Sequence, residues 1–147
     1  MPFGLLKKTI PGTSGAKVVF TSQPVFFVRG SNHLVSVNRV VAKPAKFLDV
    51  LNNLVSGPTP LEMTRGLRSD VPANTVFISA QIIQGTGFVN LAKPLAGSNT
   101  VAAVGQIVWT AQALCAVDGV EIFVGDIAHK VTLPGGATSV IATPGNY

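Results

Sequence analysis

With 147 residues, 47% of them hydrophobic and 12% charged, the chain has the size and apolar content of one domain with a buried core, which excludes a disordered protein. Eleven basic against six acidic side chains give a formal charge of +5, a balance that favours anionic partners such as nucleic acid, phospholipid, wall polymer or an acidic protein face. No apolar run reaches the ~20 residues of a membrane-crossing helix, and the single Cys115 excludes an internal disulfide or a multi-cysteine metal site.

Residues 1–22 are rich in Gly, Pro, Ser and Thr and read as a flexible arm with a short strand at Val18–Phe20; Lys7-Lys8 are followed by no apolar signal core. The domain proper is expected over residues 23–147. Val25–Arg29 and Leu34–Val41, separated by Gly30-Ser31-Asn32-His33, predict a hairpin. Pro44 is placed to open a helix in which Phe47, Leu48, Leu51, Leu54 and Val55 recur at helical spacing until Gly57-Pro58. Thr59-Pro60-Leu61-Glu62 is a capping-box pattern and predicts a short helix ending at Gly66. Val76–Ile83 and Phe88–Leu91 flank a turn at Gly85-Thr86-Gly87. Ser98 or Asn99 then caps a third helix with one apolar stripe through Val101, Val104, Val108, Ala111 and Cys115, widened by Ile107 and Leu114. Val120–Val124 and His129–Leu133 close the chain as a strand pair around Gly125-Asp126. Short connections in this order predict an α+β fold: a two-layer α/β sandwich with one mixed sheet and helices over one face.

Signs of chemistry are sparse. The sequence has no Gly-x-Ser-x-Gly, and the predicted helix face buries Cys115 as an inert thiol. His33 and His129 fall in different hairpins, where surface turns suit them better than a metal site. Asp118 and Glu121 diverge at the start of a strand, which argues against a paired-carboxylate glycosidase. Gly85-Thr86-Gly87 has no following lysine and precedes a strand, so it is a turn and not a phosphate cradle. No catalytic residue, metal ligand or cofactor is expected. Phe26, Phe27, Phe77 and Phe88 have the composition of an RNA-binding platform, but the alternating aromatic consensus is missing and a core role is the better reading, which disfavours nucleic acid as a partner. Arg39, Arg65 and Arg68 remain as a candidate positive interaction surface, with ordinary solvated charges as the equal alternative.

The string from Leu54 to Glu62 (LVSGPTPLE), then Arg65-Gly66-Leu67-Arg68-Ser69 and Val71-Pro72, resembles the pattern of the GerMN (sporulation and spore germination) domain family. Gly105 to Thr110 (GQIVWT) is similar to that family's Ala-Gln-Ile-Val-aromatic-Thr helix motif, Val117-Asp118-Gly119-Val120 to the start of its next strand, and Pro144–Tyr147 to its closing Tyr. Three positions depart from the pattern: Gly105 for Ala, Asn90-Leu91 for Asp-Leu, and Gly125-Asp126 for Asp-Gly. The resemblance implies a βαββαβ core similar to the ring-building motif of sporulation channel proteins and a non-enzymatic, scaffold-like role. It also implies an extracytoplasmic, membrane-anchored setting, an envelope protein as partner, self-association as an option, and membrane attachment only through an upstream anchor. An anionic-ligand module, for wall polymer or nucleic acid, is the alternative reading. Gly57, Pro58, Thr59, Glu62, Gly66, Pro72 and Gln106 are expected to specify the fold, with Gly57 and Gly66 in left-handed conformations, Thr59 and Glu62 capping, and Gln106 bonding backbone at the helix–sheet seam.

Overall fold

The computed structural model describes residues 17–147, so most of the expected arm lies outside the described residues. β1 (Phe20–Arg29) and β2 (His33–Ala42) pair antiparallel from Phe20 opposite Ala42 to Arg29 opposite His33. The strand therefore begins inside the expected arm, because backbone pairing of Phe20, Thr21 and Ser22 with Val40–Ala42 continues beyond the apolar residues of β1. A two-residue strand, β3 (Leu67–Arg68), joins the other side of β1 at Val28 and Arg29.

Helix α1 (Phe47–Ser56) starts after Lys46 and not at Pro44, which lies in the preceding bend with a cis Lys43–Pro44 bond. Its residues Phe47, Val50, Leu51 and Leu54 fall on one face and are buried. Gly57 ends it at φ 79° and ψ −177°, a positive φ as expected but with extended ψ, a region essentially restricted to glycine. Helix α2 (Pro60–Thr64) carries both bonds of the capping box, from Glu62 N–H to Thr59 Oγ1 (3.2 Å) and from Thr59 N–H to Glu62 Oε1 (2.9 Å). Gly66 follows at φ 84°.

Strands β4 (Phe77–Ile83) and β5 (Thr86–Leu91) form the second hairpin. Its turn lies at Gln84-Gly85, both at positive φ (49° and 79°), one residue earlier than the Gly-Thr-Gly string suggests. Gly87 is consequently a strand residue, and a Cβ there would come within 3.1 Å of Val120 and 3.5 Å of the Phe47 ring.

Helix α3 (Thr100–Leu114) is capped by Asn99, whose Oδ1 accepts from Ala102 N–H at 3.2 Å. The expected single stripe is too narrow: every residue from Ala102 to Val108 is buried, with Thr110 and Ala111. Its fifteen residues carry no charge, and a helix without a charged face can be enclosed on most sides, here by β1, α1 and β6. Cys115 does not belong to that buried surface. It is the extended, exposed C-cap residue, because the helix ends at Leu114 before the stripe reaches it.

β6 (Gly119–Val124) runs parallel to β5, and β7 (Ile127–Ala128) turns back on it through Gly125 and Asp126 at φ 56° and 70°. The tight turn brings Ile127–Ala128 back immediately, so His129–Leu133 is not the partner strand; within it, β8 (Val131–Thr132) pairs with β9 (Thr138–Ser139). β10 (Ile141–Ala142) pairs with the other side of β6.

The fold is α+β with a mixed sheet, but its strands divide among sheets: β2-β1-β3, a five-stranded β10-β6-β5-β4 with β7 attached, and the β8–β9 pair. A common core lies between them, built from Val25 and Phe27 of β1, Val50, Leu51 and Leu54 of α1, and Val104, Ile107 and Val108 of α3 against Val89, Leu91, Val120 and Ile122. No helix among the described residues is long and apolar enough to cross a membrane.

Candidate functional site

Two of the three singled-out arginines are engaged in the fold. The Arg39 guanidinium donates to both oxygens of Glu62, at 2.5 and 2.9 Å, and lies 5.2 Å from the centre of the buried Phe27 ring. Glu62 thus caps α2 and ties it to β2 with one carboxylate. Hydrogen bonds from Arg39, and more weakly from Thr59, hold its pKa at about 2, below the usual carboxylate range, against the opposing effect of burial. Arg68 donates to both oxygens of Asp70, at 2.9 and 3.2 Å, and to the carbonyls of Gly30 and Ser31 in the β1–β2 turn. Arg65 stands exposed at the C-cap of α2. The three residues do not combine into an unopposed positive surface, since carboxylates neutralise two of them.

Gln106 works as a seam, as its place in the helix motif suggests. Fully buried, it donates to Phe26 C=O (2.9 Å) and Ser69 Oγ (3.2 Å) and accepts from Asp70 N–H (2.7 Å). One turn later the buried Thr110 Oγ1 accepts from Phe26 N–H at 3.1 Å. Phe26 presents both backbone groups on the side of β1 where β3 has ended, so the i and i+4 side chains of α3 replace a missing strand. Ser69 extends the network to Leu54 C=O at the end of α1 (2.7 Å). Pro72 follows the buried Val71 in the loop beyond, and Pro58 fills the α1–α2 link.

A cleft of about 650 Å³ opens between the β1–β2 turn, the start of α3 and the 132–136 loop. Its polar lining, from Asn32, His33, Asn99, Thr132, Asn146 and Tyr147, includes no Asp, Glu, Lys or Arg side chain. Tyr147 packs its ring on Gly105, where a Cβ would come within 2.8 Å, so the Gly-for-Ala departure makes room for the closing aromatic residue. Burial raises the phenol to about 12, and its hydroxyl has no hydrogen-bond partner among the described residues. Among the described residues no three His, Cys, Asp or Glu side chains gather to hold a metal. His33 and His129 are both exposed.

The phenylalanines divide in a way that the core expectation does not anticipate. Phe27 and Phe77 are buried, and Phe26 packs against Trp109 with centroids 5.9 Å apart. Phe88 is not a core residue. It points away from the helices, because its neighbours Gly87 and Val89 take the inward positions on β5, and it meets Phe123 of β6 at 6.3 Å on the solvent face. Ile83, Ser79, Gln81, Asn90 and Asp126 surround this aromatic pair in a shallow depression of about 360 Å³. Asn90 Nδ2 donates to Asp126 Oδ1 (2.7 Å) and Asn90 Oδ1 accepts from Asp126 N–H (3.0 Å), so two of the departures from the family pattern meet as partners. Sequence alternation on β5 and β6 carried the signal for this face, but apolar composition drew the aromatic residues toward the core.

No curated protein matches the chain. Among solved structures, the tandem GerMN domains of the sporulation protein GerM from Bacillus subtilis are similar at TM-score 0.66 and 17% identity, covering 89% of this chain and 48% of that one. The chain thus spans about half of that structure. The first GerMN domain of the same protein is similar at TM-score 0.56 and 18% identity, over 84% of this chain and 97% of that one. A Clostridium perfringens protein described as a candidate lipoprotein is similar at TM-score 0.50 and 12% identity, over 86% and 93%. These likenesses show a shared fold. The family model for Germane, described as sporulation and spore germination, matches residues 24–128, which take in most of the first hairpin, all of the second, helices α1 to α3 and the parallel β5–β6 pair. With the Gly-Pro-Thr-Pro-x-Glu capping box, the Gln106–Thr110 seam and the β-strands they connect all inside that match, the chain belongs to the Germane family of sporulation and spore germination domains.

Proposed function

We propose that this domain is a non-enzymatic interaction module of the cell envelope, acting outside the cytoplasm, and that it docks a protein partner on the open face of its five-stranded sheet. The observation that supports the face is the half-buried Phe88–Phe123 pair on the outer side of the sheet, beside Ile83, which is 48% exposed. Aromatic residues framed by polar groups are the usual anchors of protein interfaces. Similarity to a sporulation protein and to a candidate lipoprotein supports the envelope setting. Asp126, at the rim of the same depression, opposes a phosphate-bearing polymer there, and Arg39 and Arg68 are each paired with a carboxylate.

A photo-cross-linking residue at Asn90, in the depression but away from the β4 edge, is expected in the full protein in its own cells to capture one envelope protein, while the same probe at Asn52 on α1 captures none. With that partner purified, Phe123→Ala should raise the dissociation constant about tenfold or more, a loss of about 1.4 kcal/mol. Equal capture at both positions, or an unchanged constant, would remove the proposal.

A further inference from the structure

We infer that two copies of this chain pair through the outer edge of β4, joining their five-stranded sheets across a two-fold axis at Ala80. This rests on the edge of the sheet and is independent of the docking face proposed above.

Among the described residues β4 ends its sheet, with β5 on one side only. In a hairpin closed by a two-residue turn, Ile83 and Thr86 exchange backbone bonds, as do Gln81 and Phe88, so Ala80 and Ile82 turn their N–H and C=O groups outward. Such a row of unpaired groups is a template for another strand, and proteins protect it with charge, proline, bulges or brevity. Brevity protects β3, β7 and β10, each two residues long. β4 has seven residues, Phe-Ile-Ser-Ala-Gln-Ile-Ile, with neither a charge nor a proline, and its one irregularity lies at the Phe77–Ser79 end. Ile78 is 53% exposed, and the adjoining Val76 58%.

The strand also complements itself. With Ala80 opposite its own copy, Ser79 faces Gln81 of the second copy, so hydroxyl meets amide with no like charges opposed. An isologous contact of this kind closes at two copies and leaves no free β4 edge. It also sets the two Phe88–Phe123 faces side by side on one continuous sheet.

Sedimentation equilibrium of the full chain should show a monomer–dimer equilibrium, and Ile78→Lys should raise the dimer dissociation constant at least about tenfold with an unchanged circular dichroism spectrum. Gln81→Lys, at an exposed position, provides the same test should Ile78→Lys fail to fold. Register is tested in a Cys115→Ser background by mixing Ser79→Cys and Gln81→Cys proteins, since directly opposite, non-hydrogen-bonded residues lie about 4.5 Å apart and within disulfide reach. Oxidation is expected to cross-link the mixture and neither variant alone. A chain that stays monomeric at every concentration, a dimer that persists with lysine at these positions, or cross-linking of the unmixed variants would overturn the proposal.

Discussion

At the level of single residues, Glu62 carries more than its capping role. One carboxylate satisfies the N-terminus of α2 and receives two bonds from Arg39, which itself lies over Phe27. Because its folded pKa is about 2 and its ordinary value 4.5, the folded state binds this proton more weakly than the unfolded state. The resulting stability is fully present above pH 4.5 and is lost as the pH falls toward 2. The carboxylate lies near the surface, where solvent screening reduces the gain to about 1–2 kcal/mol. Urea unfolding midpoints should therefore fall more between pH 6 and pH 2.5 for the natural protein than for Glu62→Gln; equal slopes would show that the pair adds nothing. The capping box was legible from Thr59 and Glu62 alone, being a local pattern. The Arg39 bond was not, because it joins positions 23 residues apart in the chain.

At the level of elements, α3 does the work of a strand. Gln106 and Thr110 occupy one side of the helix and close the part of the β1 edge that β3 leaves unpaired. Leucine at Gln106 would strand the Asp70 donor and the Phe26 acceptor in the interior, each costing about 1–3 kcal/mol, so Gln106→Leu should destabilise the fold by roughly 3–5 kcal/mol. Thr110→Val leaves one donor unmet and should cost about 1–3 kcal/mol. Denaturant titration of both variants checks the order, and a Gln106→Leu protein as stable as the natural one would mean that water replaces the network. Helix periodicity found the apolar face and the end of α1, though not its start, because one side of that helix faces solvent. It failed for α3, whose apolar and small residues occupy nearly the whole circumference and define no single stripe.

At the level of the whole molecule, the two principal sheets have no strand in common and meet through the core around α3. Ile107, fully buried on that helix, belongs to the shared core, and Trp109 reports the β1 side through its contact with Phe26. Ile107→Ala should cost about 2–5 kcal/mol. If α3 couples the sheets, Trp109 fluorescence and far-ultraviolet circular dichroism will lose signal at the same denaturant concentration, in that variant as in the natural protein. Two separated transitions would mean that the sheets fold as independent units.

The sequence by itself determined the alternation of hairpins and helices, the capping box, the family and the structural duty of Gln106. Each of these depends on neighbours within a few residues or on a motif carried whole. Tertiary structure alone decided that Arg39 and Arg68 are held by carboxylates, that Phe88 faces water, that Cys115 is exposed, and that the strands divide among sheets. These outcomes turn on which distant segments meet. Strands of two residues, such as β3 and β10, are too short to show a period, and the edge of β4 is open because no other strand among the described residues reaches it.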